Sequence, residues 1–327
     1  MDHEPRGVSD LPGSRALPGL VAATFSLIVL GALVRAHGAG LACPDWPLCF
    51  GKLVPAFDLR VAFEYTHRAL AGGLTLAFLW IGARILRHPR AREAAGGAVL
   101  TAAVLLAIQI LLGALTVWHL LAAWTVTAHL LTGNLFAATL LVAWLRLRRA
   151  RDAREALQPA PSAPVPPLLV LASVLLLVQL VLGGLVASRF AGLACPEWPT
   201  CIGGVWFPSL RGALGLHILH RLNAYLLAAL LLLAPRVLRH RSDLRPLLRL
   251  AAGLAVVQVG VGVANVWTQL RVEITGAHSA LAAALVLTLA AALDTARGHR
   301  ATAPDRSPAE GEPRHGPARA AANRSAA

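Results

Sequence analysis

At 327 residues, 57% of them hydrophobic and only 14% charged, the chain is too apolar for an ordinary soluble domain and suits a multi-span membrane protein. The net charge of +14 does not signal nucleic acid as a partner, because the arginines cluster between apolar runs and not along one face. The basic excess therefore reads as membrane topology.

Residues 1–17 are polar, with Arg6 and Arg15, and are expected to be disordered. Eight apolar runs follow, at about 18–36, 61–83, 95–117, 124–145, 167–188, 214–235, 247–268 and 274–293. Each meets the roughly 20 residues that a bilayer-crossing helix needs. The first lacks a clear small-residue cleavage site, so it reads as a span and not as a cleaved signal. Between spans 4 and 5, residues 146–166 form an arginine-rich linker ending in Gln158-Pro159-Ala160-Pro161-Ser162-Ala163-Pro164-Val165-Pro166, a semi-rigid joint. The tail, 294–327, is rich in Pro, Ala and Arg from Arg297 on and is expected to be disordered.

Arginines set the orientation. Arg84, Arg87, Arg90 and Arg92 follow span 2; Arg146, Arg148, Arg149, Arg151 and Arg154 follow span 4; Arg236, Arg239, Arg241 and Arg245 follow span 6. The opposite loops hold far fewer cations: Lys52, Arg60, Arg189, Arg211 and Arg271. The positive-inside rule then places both termini in the cytoplasm of a cell inner membrane. The loops 37–60 and 189–213, which hold Cys43, Cys49, Cys195 and Cys201, face the oxidising, periplasmic side, where disulfides persist.

The chain reads as one module used twice. Gly40-Leu41-Ala42-Cys43-Pro44-Asp45-Trp46-Pro47-Leu48-Cys49 matches Gly192-Leu193-Ala194-Cys195-Pro196-Glu197-Trp198-Pro199-Thr200-Cys201 almost letter for letter. Leu30 to Val34 resembles Leu182 to Val186, His67-Arg68 matches His220-Arg221, Gln109 to Trp118 resembles Gln258 to Trp267, and His129 falls opposite His278. Offsets stay between 149 and 153, and four spans separate the copies. The expected fold is thus all-α: eight transmembrane helices as two four-helix bundles, 18–145 and 167–293, related by a pseudo-twofold axis along the membrane normal.

Four intramembrane histidines carry the chemistry. His67, His129, His220 and His278 each sit several residues in from the cysteine-loop end of an even-numbered span. Two histidines at one height on neighbouring helices supply both axial positions of a haem iron, which predicts His67 with His129 and His220 with His278. The competing account has them bonding carbonyls between helices. Glu64 shares a helix face with His67 and breaks the repeat, since His217 stands in its place. A carboxylate there either moves protons or holds a water beside the iron, or it pairs with a cation such as Arg68. His217 is assigned to the surroundings of the haem, on its propionate side. For Arg68 and Arg221, propionate pairing and snorkelling to the interface weigh equally. His37 and His119 read as solvated loop histidines.

Each cysteine pair is separated by five residues, which is not the Cys-x-x-Cys redox spacing. Four cysteines permit three pairings, of which local closure, Cys43–Cys49 and Cys195–Cys201, is the simplest. A shaping disulfide, a redox-active pair and a four-thiolate zinc site are the three uses to compare, with zinc disfavoured by the tryptophan and prolines of the loop.

Taken together, Glu64-x-x-His67-Arg68, His129, His220, His278, the two halves and the Cys-Pro-x-Trp-Pro-x-Cys loop resemble the haem A synthase family over about residues 18–293. The resemblance implies an oxidoreductase that converts the C8 methyl of haem O to a formyl group through a hydroxylated intermediate, for cytochrome oxidase assembly. It implies haem O as substrate between His67 and His129, haem b between His220 and His278, and functional weight on Glu64 and on Cys43 with Cys49. Many members lack cysteines in the second loop, so Cys195 and Cys201 are a departure. Haem O synthase and terminal oxidase subunit I are the expected partners, alongside membrane lipid; association with a second copy is left open. The chief rival is a quinone-linked di-haem b electron carrier, which needs no Glu64-for-His217 difference. A transporter is disfavoured by unbroken helices, a membrane thiol–disulfide enzyme is to be judged by cysteine variants, and a prenyltransferase is disfavoured by the lack of an Asp-rich motif.

Overall fold

The computed structural model describes residues 11–152 and 164–298. The expected disorder of the first ten residues and of the tail beyond 298, and most of the Pro-rich linker, fall outside them. Among the described residues there are eight helices: α1 (Leu17–Ala36), α2 (Leu59–Arg87), α3 (Pro89–Trp118), α4 (Ala123–Asp152), α5 (Pro167–Ser188), α6 (Gly212–Val237), α7 (Arg245–Trp267) and α8 (Val272–Gly298). All eight are long and apolar enough to cross a membrane, and the β-bridges among the described residues are two isolated ones, Cys49 with Lys52 and Ile202 with Val205.

Several helices outrun their apolar runs at the arginine-turn end. α2 and α3 meet at a single residue, His88, whose ring caps Ala91 N–H, with Pro89 opening α3 where its missing donor costs nothing. α4 stays helical through Asp152, so the first seven residues of the expected linker are helix instead. Hydropathy sees only the bilayer-crossing part of a helix, whereas arginine is a good helix former beyond it. On the other side, Asp58 caps α2 by accepting from Arg60 N–H (2.9 Å) and Val61 N–H (3.2 Å).

Two closed rings result. α1 packs on α2, α2 on α3, α3 on α4 and α4 back on α1; α5 to α8 close in the same way. Across each ring, the diagonal pairs α2/α4 and α6/α8 make no close backbone approach among the described residues. Each ring has its own apolar core toward the arginine-turn side. One is built on Leu17, Phe78, Ile85, Phe136 and Leu140, the other on Leu169, Leu231, Leu248 and Leu289. Leu76, Trp80 and Val104 lie exposed on helix flanks, as lipid-facing residues should.

The rings join through α1 on α8, α4 on α5 and α4 on α8. Small residues permit the approach: a Cβ on Gly184 would come within 2.9 Å of Thr127, and one on Gly276 within 2.9 Å of Leu33. At the arginine-turn end, Asp294 of α8 is 2% exposed and pairs with Arg146 (3.2 Å) and Arg149 of α4. At the other end, Arg35 of α1 donates to the carbonyl of Ala187 on α5. The arginines following span 4, read above only as a topology signal, thus also fasten the two rings together.

Candidate functional site

The four histidines stand on the diagonal helices: His67 on α2 and His129 on α4, His220 on α6 and His278 on α8. Every one of the four faces a glycine of the preceding helix. A Cβ on Gly31 would lie 3.1 Å from His67, on Gly183 3.1 Å from His220, on Gly262 3.3 Å from His278 and on Gly113 3.5 Å from His129. Bare backbone at these four points gives each imidazole its place, and all four glycines lie in repeated stretches whose purpose the sequence alone did not show.

Glutamines accompany the rings. Gln109 Nε2 is 3.2 Å from His129 Nε2, and Gln258 Nε2 donates to the carbonyl of His278 at 3.1 Å. His129 Nδ1 and His278 Nδ1 are buried without a hydrogen-bond partner, as are Gln109 Oε1 and Gln258 Oε1. Buried polar atoms are normally satisfied, so matched orphans in the two rings mark places made for a polar or metal-bearing ligand. A haem fits this donor set: two imidazoles per ring, on opposite corners, with glycine backing. Among the described residues no three His, Cys, Asp or Glu side chains gather as a metal cluster, and all four cysteines are held in two disulfides, so the four-thiolate zinc arrangement does not occur.

Those disulfides are the local ones, Cys43–Cys49 and Cys195–Cys201, and their cysteines are at most 1% exposed. Each loop is fastened to the helix that bears the first histidine. Cys43 N–H donates to Glu64 Oε2 at 2.8 Å, and Glu64 Oε1 meets Arg68 Nη2 at 2.5 Å. Arg68 also donates to the carbonyls of Asp45 (2.6 Å), Leu48 (2.7 Å) and Cys43 (3.2 Å). In the other ring, Cys195 N–H lies 3.4 Å from His217 Nδ1, which is itself 3.0 Å from the Ala191 carbonyl. Arg221 donates to the carbonyls of Thr200 (3.0 Å) and Cys195 (2.8 Å). Both arginines turn to the loops and not to the lipid interface.

Inside each loop an acid closes the turn. Asp45 accepts from Phe50 N–H (2.6 Å) and Gly51 N–H (2.7 Å); Glu197 accepts from Gly203 N–H (2.8 Å), Gly204 N–H (3.0 Å) and the Thr200 hydroxyl (2.9 Å). The N–H of Gly51 above all holds the Asp45 carboxyl below the usual range, and the N–H of Gly204 does so for Glu197. The loop tryptophans dock edge-on, Trp46 against Trp118 and Trp198 against Trp267, each with ring centroids 6.0 Å apart. Of the two histidines read as solvated, His37 is half-buried and stacks on Phe63 at 4.4 Å, whereas His119 is exposed, edge-on to Trp124 at 5.6 Å.

Two rings of membrane-spanning helices, each with a histidine pair beneath a stapled loop, define a multi-pass membrane protein. A family model described as cytochrome oxidase assembly protein matches residues 15–290, and the chain belongs to that family. It is 33% identical over 308 residues to a heme A synthase of Shewanella oneidensis, covering 81% of this chain and 91% of that one. A heme A synthase of Rhizorhabdus wittichii is 30% identical over 322 residues, covering 84% and 90% of the two chains. One of Shouchella clausii is 30% identical over 285 residues, covering 83% and 93%.

Proposed function

We infer that this chain is a haem A synthase, a membrane enzyme of haem A biosynthesis. The observation that carries the reading is the pair of histidines set on glycine at opposite corners of each helix ring, in a chain whose relatives bear that name. The finer reading is oxidation of the C8 methyl of haem O to a formyl group through a hydroxylated intermediate. His67 and His129 hold the substrate haem O, and His220 with His278 hold a resident haem b. When bound, haem b supplies one-electron transfer.

The residues of this chain bind, orient and place charge. Glu64 is 5% exposed and one helical turn from His67. Its contact with the loop N–H is shared by His217, which is no carboxylate, so anchoring the loop does not by itself explain an acid at position 64. We assign Glu64 the holding or movement of a proton beside the substrate haem. Arg68 and Arg221 put permanent charge beneath the loops, where they would pair the propionates of a bound haem, and His217 lies with them. The cysteine loops face the periplasm and both termini the cytoplasm. Haem O synthase and terminal oxidase subunit I are the partners that supply substrate and take product.

The test is haem extraction and chromatography from cells that make haem O but have no other route to haem A, with His67→Ala as control. Haem A with the intact chain alone is the expected result. Bound haem b with no haem A, despite a proven supply of haem O, overturns the reading in favour of an electron-carrying di-haem cytochrome.

A further inference from the structure

The first histidine of each pair is held differently in the two rings. Around His220, Gln179 of α5 places its amide Nε2 3.1 Å from Nδ1, 3.3 Å from Nε2 and 3.2 Å from the carbonyl oxygen of the same histidine. Gln179 is in turn fixed by Asn223, whose Nδ2 donates to Gln179 Oε1 at 2.7 Å and to the Leu175 carbonyl at 3.0 Å. Asn223 lies three residues after His220, on the same helix face. Through the glycine and histidine matches of the repeat, Gln179 corresponds to Leu27 and Asn223 to Leu70. Leucine has no donor or acceptor, so neither position can offer His67 what Gln179 and Asn223 offer His220. The second histidines lack this contrast, since Gln109 and Gln258 occupy matched positions.

The amide nitrogen of Gln179 is a donor nearly equidistant from both ring nitrogens and bound to the carbonyl of the same histidine, so what it gives His220 is a fixed ring orientation. Its oxygen, taken up by Asn223, locks the amide itself in place. An unheld imidazole must lose its rotational freedom when it ligates, which weakens binding and eases release.

We propose that Gln179 and Asn223 are positioning residues that fix His220 as a ligand and make the second ring the haem-retaining site, whereas Leu27 and Leu70 leave His67 free to take up haem and let it go. The proposal rests on the ligand assignment above and explains how one module serves both a resident and an exchanging haem.

The experiment uses the purified full-length protein in detergent, challenged with excess apomyoglobin as haem scavenger, with bound haem followed at its visible absorption band. In Gln179→Leu/Asn223→Leu, haem b retention falls about 10–100-fold, the loss typical of removing a residue that orients a metal ligand. Retention equal to wild type overturns the proposal. The control His220→Ala removes retained haem b. If it leaves haem b content unchanged, the ligand assignment itself falls, which a failure of the leucine variant alone does not imply. Should the leucine variant not fold, Leu27→Gln/Leu70→Asn decides: it slows haem release from the first ring, and release at the wild-type rate overturns the proposal.

Discussion

In both rings the N–H of the first loop cysteine points at the residue three before the first histidine, and an arginine one residue after that histidine binds the cysteine carbonyl. The staple is the same; the residue that receives it is not. Glu64 is an acid at 2.8 Å with an arginine partner, while His217 is an imidazole at 3.4 Å that also faces a carbonyl. A module duplicated for scaffolding alone needs no such change. The difference falls one turn from the first histidine in one ring only, together with the Leu27/Gln179 and Leu70/Asn223 exchanges. The loops therefore belong to the shared frame, and the helices beneath them to the division of labour.

The sharpest way to break that comparison is to make the first ring like the second. Glu64→His keeps a side chain capable of the loop contact and removes the carboxylate; Glu64→Gln does the same with less change of shape. Both should lower the haem A yield by about 10²–10⁴-fold, the usual weight of a positioned acid or base. His217→Gln should leave the yield near wild type. Chromatography of extracted haem reads all three, and normal haem A from Glu64→Gln would reduce Glu64 to a loop anchor.

The disulfides test whether the frame is symmetric. Each closes a loop with a sequence separation of 6, so Cys43→Ser/Cys49→Ser and Cys195→Ser/Cys201→Ser should each cost about 2 kcal/mol by loop-closure entropy. Thermal unfolding in detergent should show equal losses, with haem A still formed by both variants. Equal unfolding losses with haem A abolished in one alone would assign that pair a redox role. The glycines sharpen the comparison further. Gly31→Ala and Gly183→Ala press a methyl against an imidazole that must yield, at about 1 kcal/mol, the low end for overpacking. Gly113→Ala places its Cβ at an ordinary contact distance of 3.5 Å and should be nearly silent in the haem absorption spectrum.

Much of this was legible in the sequence because a repeat in a membrane protein exposes what both copies must keep. The eight spans and the four histidines followed from hydropathy and depth, and local closure of the disulfides was the simplest of the three pairings open. What was not legible depends on three-dimensional register. Gly31 and Gly183 stood in recognised repeat stretches, but only packing shows that they face His67 and His220. Arg68 was assigned to propionate or interface because a side chain's direction depends on where the loop folds over it. Asp294 meets Arg146 and Arg149 across 145 or more residues of chain, beyond the reach of any local pattern. Gln179 and Asn223 were missed for the opposite reason: aligning the copies by their similarities passes over positions where they differ.

The smallest expected effect separates the two loops by charge. Both turn-closing acids have carboxyl groups held below their usual range, so their contribution is fully present above the unfolded values, about 3.9 for Asp and 4.3 for Glu, and is lost only as pH falls through the lower folded ones. The loops should therefore stay closed across neutral and mildly acidic pH and loosen below it. Hydrogen exchange at Phe50 and Gly51, and at Gly203 and Gly204, reads each turn separately. Asp45 also feels the charge of Arg68, whereas Glu197 is helped by the neutral Thr200 hydroxyl. Added salt screens a charge but not a hydroxyl. Raising ionic strength should move the opening pH of the Asp45 turn upward and leave that of the Glu197 turn in place. Identical salt dependence in the two turns would show that Arg68 acts on its loop through hydrogen bonds to carbonyls alone, as Arg221 does on the other.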